Sequence, residues 1–162
     1  MALLLRKLEK KIWLDPEFSK KLGYFGSDAL RNFRTSGNSL SVFLVQKDLI
    51  LITRILTAVI GGCEYVQEAE YALFDSSILD GLGVKYVQDE GTTADTEVNK
   101  QHLNLVNLTT QQICQLAEKI QAIGTLDRVS KKKIAQSLRD GIKNGTIQPD
   151  RLNSKLASSL SL

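Results

Sequence analysis

The stretch FRTSGNSLSVFLV, residues 33–45, sets a small polar turn between two apolar segments. Gly37-Asn38 suits a reverse turn that requires positive φ, so residues 29–35 and 40–46 are expected to form a hairpin around it. Val42 to Val45 is apolar without alternation, the pattern of a strand covered on both faces. A sheet with at least one interior strand follows, and the remaining segments have to cover it.

Downstream, Asp48 is placed to cap an apolar helix in which Leu51, Ile55 and Val59 lie beside Leu49, Ile52 and Leu56, and Gly61-Gly62 ends it. Its run from Asp48 to Gly62 falls short of the ~20 residues a membrane span needs and carries Arg54 in the middle. Tyr71 to Phe74 reads as a strand, Asp75 or Ser76 caps a short helix through Leu82, and Val84 to Val87 reads as a further strand. Asp89 to Glu97 is polar and reads as a linker.

Beyond the linker the apolar spacing is helical. Thr109-Thr110-Gln111-Gln112 fits a capping box ahead of Ile113, Leu116, Ala117, Ile120 and Ile123. Ser130 opens a helix with Ile134, Leu138 and Ile142 on one face, ending at Asn144-Gly145, and Pro149 or Asp150 opens a last short one. Upstream, Lys11 to Leu14 suits a short strand anchored by Trp13, and Asp15-Pro16-Glu17 suits a helix start.

The expected fold is therefore α+β: a small mixed β-sheet with a buried helix from residues 1–88, a linker at 89–97, and a helical region of three to four helices at 98–162, packed on the core. At 162 residues, with 43% apolar and 24% charged side chains, the chain can bury a core without disulfides. Cys63 and Cys114 are expected as reduced, buried thiols. The opening MALLLRKLEKKIWL has an apolar run too short for a signal sequence, so a cytoplasmic location is expected.

Net charge is only +3, yet its distribution is uneven. From Cys63 to Asn99 one basic residue faces nine acidic ones, while from Lys100 onward ten basic residues face four acidic. The basic ends can fold against the acidic middle, or two surfaces of opposite potential can face partners. The densest basic patch is Lys131, Lys132 and Lys133 with Arg128, Arg139 and Lys143.

Motifs for catalysis are sparse. There is one histidine, His102, at helical spacing with Val98 and Leu105, where a half-buried ring bonded to a backbone carbonyl or to Asn99 is expected. No phosphate loop or zinc-ligand spacing occurs, so neither metal nor cofactor is expected.

Two short matches point elsewhere. SGNSLSV, residues 36–42, resembles the turn-and-strand signature of the AbrB/MazE-like swapped-hairpin antitoxins, which implies a DNA-facing turn with Asn38, Ser39, Arg31 and Arg34 toward the nucleic acid. The chain then continues Val-Phe-Leu-Val-Gln where that family has Arg and a strand-ending Pro, and this apolar run fits a buried strand better. Glu68-Ala69-Glu70, after Arg31 or Arg34 and Ser39-Leu40-Ser41, is similar to the arginine, serine, glutamate order of ADP-ribosyltransferases, which implies a transferase using Glu68 and Glu70. Read by residue type alone, the two are surface carboxylates of an acidic segment.

The functional expectation is a non-catalytic protein–protein interaction module acting through its charge-segregated surfaces, with Lys131, Lys132, Lys133, Arg139, Lys143, Glu68 and Glu70 as contact candidates. Nucleic-acid binding and a small transferase are the alternatives. Self-association stays open, and no membrane partner is expected.

Overall fold

The computed structural model describes residues 2–8, 33, 35–46 and 48–160. Its six strands are β1 (Leu3–Leu8), β2 (Leu40–Val45), β3 (Ala69–Asp75), β4 (Lys85–Gln88), β5 (His102–Val106) and β6 (Thr125–Val129). They form one sheet in the order β4-β5-β2-β1-β3-β6. Among the described residues the helices are α1 (Leu49–Ile60), α2 (Ser77–Gly81), α3 (Thr96–Asn99), α4 (Thr110–Ile123), α5 (Lys131–Lys143) and α6 (Ser154–Ser159), with a 3-10 turn at Pro149–Arg151. This is the expected α+β class.

Every pairing among the described strands is antiparallel, which corrects the expectation of a mixed sheet. The reason lies in strand order. β2 and β3 are both antiparallel to β1, so they run the same way, as strands joined through α1 should. However, β1 inserts between them and pairs with both. β5 and β6, joined through α4, are likewise codirectional and far apart.

Three strands escaped the sequence reading. β1 was hidden in the apolar leader, whereas β5 and β6 fall in the stretch expected to be wholly helical. His102 thus belongs to a strand, and its spacing with Val98 and Leu105 does not mark one helix face. The expected elements around Trp13 and Asp15-Pro16-Glu17 lie outside the described residues, as do residues 29–32 and Arg34 of the hairpin's first arm.

The turn itself forms: Ser36 and Ser39 exchange backbone hydrogen bonds of 3.3 and 3.1 Å, and Gly37 and Asn38 both take positive φ, at 58° and 57°. The carbonyl of Asn38 also accepts from the Leu108 amide at 3.0 Å, tying the turn to the chain beyond β5. The sheet neighbours of β2 are β1 and β5.

Side chains alternate between two apolar clusters. Leu5, Phe43, Val45, Tyr71 and Leu73 face α1, α5 and α6, meeting Ile55, Leu56, Ile134, Leu138 and Leu156. Leu4, Leu8, Val42, Phe74 and Leu105 face α2 and α4, meeting Leu79, Leu116 and Ile120. Helices on both sides explain why β2 and β3 read as apolar runs rather than alternating ones.

Capping agrees with the sequence. Asp48 Oδ1 accepts from the Ile50 amide at 2.9 Å, Thr109 and Gln112 form the full capping box, and Ser130 Oγ accepts from the Lys133 amide at 3.3 Å. Cys63 and Cys114 are free and half-buried rather than buried. No described helix is long and apolar enough to cross a membrane.

Candidate functional site

Of the depressions that flank α1, two carry candidate binding groups. The larger, a cleft of about 460 Å³, lies on the α1 face of the sheet, walled by β1, β2 and β5, by the C-terminal end of α1 and by residues 89–94. It forms where β1 and β2 part company. Their register ends at Leu5 opposite Phe43, although β1 stays on β3 through Leu8. The Arg6 guanidinium then takes over where the ladder stops, its Nη1 donating to the Ser41 carbonyl at 2.8 Å.

His102 lines this cleft and is only 8% exposed. Its Nδ1 lies 2.9 Å from the carbonyl oxygen of Asp89, which can only accept, so Nδ1 carries the hydrogen and Nε2 is left as the acceptor of the neutral ring. The expected bond to a backbone carbonyl is thus present. The ring meets Phe43 edge-on at 5.3 Å. Beside it, Ser41 Oγ donates to Asn104 Oδ1 at 3.4 Å, and Asn104 Nδ2 donates to Asp89 Oδ2 at 2.9 Å.

The 89–94 wall is built to stay put. Asn99 Oδ1 accepts from the Thr93 amide at 2.9 Å and from Thr93 Oγ1 at 2.7 Å, and its Nδ2 donates to the Thr93 carbonyl at 3.1 Å. Gly91 passes so close that a Cβ there would lie 2.9 Å from Asn99 Oδ1 and 3.3 Å from the His102 Cβ. Behind the wall, Asp95 caps α3 and is held by Arg54 of α1. That hydrogen bond holds the Arg54 guanidinium above its ordinary pKa.

The second depression, about 380 Å³, runs between α1 and α5 and is lined by Ile50, Thr53, Arg54, Lys133, Gln136 and Ser137 among others. Ile50 is 79% exposed, and its neighbour Leu49 is exposed as well. The first turn of α5 carries Lys131, Lys132 and Lys133 with no acidic residue, at the end where the helix dipole is already positive. These lysines, Arg139 and Lys143 are exposed, and none forms an ion pair with a described residue.

The acidic middle of the chain, by contrast, is partly neutralised from within. Asp95 pairs with Arg54, and Glu64 pairs with Lys155 at 2.8 Å. Glu97 pairs with Lys100 at 2.7 Å, and Lys100 is held above its ordinary pKa by Glu97 first and by Glu90 to a lesser degree.

The other sequence candidates are scattered. Glu68 is half-buried and Glu70, in β3, is 5% exposed, so Glu70 is not the surface carboxylate its acidic segment suggested. Alternation along β3 turns it with Ala72 and Phe74 toward the α4 face, opposite Arg128 of β6. Ser41 lies on the other face, in the cleft, so the Ser-Leu-Ser and Glu-Ala-Glu segments do not converge. Asn38 is exposed at the turn and Ser39 half-buried beside it, while Arg31 and Arg34 lie outside the described residues. Among the described residues, no three His, Cys, Asp or Glu side chains group as a metal site.

Sequence reasoning missed Lys7, Asn104, Arg151 and Ile50. Lys7 and Asn104 come together through the sheet order and Arg151 joins them from the 3-10 turn, which no local pattern encodes. Ile50 was legible as helical but not as exposed, because α1 is apolar nearly all round. Comparison with family models, with curated proteins and with solved structures finds no match for this chain.

Proposed function

We propose that the protein is a non-catalytic interaction module that binds an acidic partner protein through the groove between α1 and α5. The observation that carries this reading is Ile50, an exposed apolar side chain in the same groove as Lys133. Burying an aliphatic anchor supplies affinity, and surrounding charge supplies steering and register. Three lysines crowded at the positive end of α5 cost helix stability, on the order of a few tenths of a kcal/mol each, and an acidic partner would reverse that cost.

A helical peptide with Leu and Glu at alternating turns tests this, with a Lys-for-Glu peptide and duplex DNA as comparisons. The acidic peptide is expected to bind, more weakly as salt rises, and to lose affinity both with Ile50→Glu and with the triple variant Lys131→Glu, Lys132→Glu, Lys133→Glu. Binding of DNA without binding of the acidic peptide would replace the reading with the nucleic-acid one. Equal binding by wild type and Ile50→Glu would remove the groove from it.

A further inference from the structure

We propose that the cleft between the 89–94 wall and strands β1, β2 and β5 binds a small organic oxyanion, a phosphate ester or carboxylate carrying a hydroxyl or N–H group. Its volume of about 460 Å³ lies within the range of small-molecule sites, and its walls are preformed by the Thr93–Asn99 bonds and the Arg54–Asp95 pair.

The charge in the cleft is arranged for an anion. Lys7 from β1 and Arg151 from the 3-10 turn both line it, and neither makes an ion pair with a described residue. Arg6 also lines it, its guanidinium committed to the Ser41 carbonyl. Against them stand Asp89, which accepts from the neutral Asn104 amide and keeps its charge, and Glu90, both exposed at the rim, with Glu90 within the field of Lys100. Two cations delivered from opposite ends of the chain leave an oxyanion as the group that satisfies both.

The other walls define the rest of the ligand. His102, nine-tenths buried, keeps Nδ1 on the Asp89 carbonyl and has no partner among the described residues for Nε2, so the cleft offers one acceptor in a fixed orientation. A hydroxyl or N–H on the ligand completes it. Phe43, Ala58 and Val59 supply an apolar surface for the ligand's carbon body. This inference is independent of the α1–α5 groove, which lies elsewhere on α1, and survives or fails without it.

His102 is the only histidine in the chain, so its imidazole nitrogens give a single reporter in nitrogen-15 correlation spectra. Inorganic phosphate, ribose 5-phosphate and 3-hydroxybenzoate are titrated separately, each against chloride at matched ionic strength. The expected result is a saturable change at Nε2 with at least one organic probe, tighter than with inorganic phosphate. Which probe wins decides between phosphate and carboxylate. Lys7→Gln and Arg151→Gln are each expected to weaken that binding by about tenfold, the worth of one charge-assisted hydrogen bond. Arg151 is exposed, so its variant keeps the test valid should Lys7→Gln unfold. An unchanged Nε2 signal with all three probes, or binding unaffected by Arg151→Gln, would overturn the assignment.

Discussion

Arg54 and Asp95, 41 residues apart, are joined by two hydrogen bonds, Nε to Oδ2 at 2.6 Å and Nη2 to Oδ1 at 2.9 Å. The same carboxylate caps α3, accepting from the amides of Glu97 and Val98, and is 1% exposed, while Arg54 remains more than a third open to solvent. One side chain thus ends the 89–94 wall, starts α3 and fastens both to α1.

Arg54→Gln leaves that buried carboxylate with its amide donors alone. A loss of about 2 kcal/mol is expected in urea unfolding, below the full cost of breaking a buried pair because Arg54 is partly solvated. Arg54→Lys keeps the charge but loses the two-pronged geometry, and should fall between. A wild-type midpoint for Arg54→Gln would show that the pair is ornamental.

Leu56 is fully buried in the cluster between the sheet, α1 and α5. Leu56→Ala is expected to cost about 2–5 kcal/mol, and Leu56→Asp to leave no cooperative melt by circular dichroism. A native-like melt for the aspartate variant would contradict this placement of α1.

Gln112 has two tasks: its Oε1 accepts from the Thr109 amide, and its Nε2 donates to the carbonyls of Leu82 and Gly83, linking α4 to the end of α2. Thr109→Ala should cost about 1 kcal/mol, as for other caps. Gln112→Ala should cost more than Thr109→Ala, and a double-mutant cycle should show the two to be non-additive. Additive effects would mean that the box is not a unit.

Tyr71 donates its hydroxyl to Asp127 Oδ2 at 3.2 Å, and burial, with Asp127 adding to it, pushes its pKa up to about 12 from 10.0. The unfolded chain therefore loses this proton first as pH rises, so the stabilisation is complete below pH 10 and disappears toward about pH 12. Tyr71→Phe should flatten the fall in stability over that window. An identical alkaline limb in the variant would assign the fall to other groups.

Much of the secondary structure was legible because its signals are local. The Gly37-Asn38 turn, the Asp48 cap, the capping box at Thr109 and the Ser130 start each act within four residues, and each appears where spacing and residue type put it. The unbroken apolar run at Val42–Val45 likewise announced a strand covered on both faces, and Tyr71–Phe74 announced a strand.

What the amino-acid order alone determined, then, is an α+β protein with capped helices, an interior strand beyond a tight turn, one histidine and an uncompensated cluster of lysines. Tertiary structure decided the rest: that β1 would slip between β2 and β3 and make the sheet wholly antiparallel, that Glu70 would turn inward away from Ser41, and that Lys7, His102 and Arg151 would share one cleft. The physical reason is range. Caps and turns are settled by hydrogen bonds between near neighbours, whereas strand order is settled by which distant apolar faces can be buried together, a property of the folded whole.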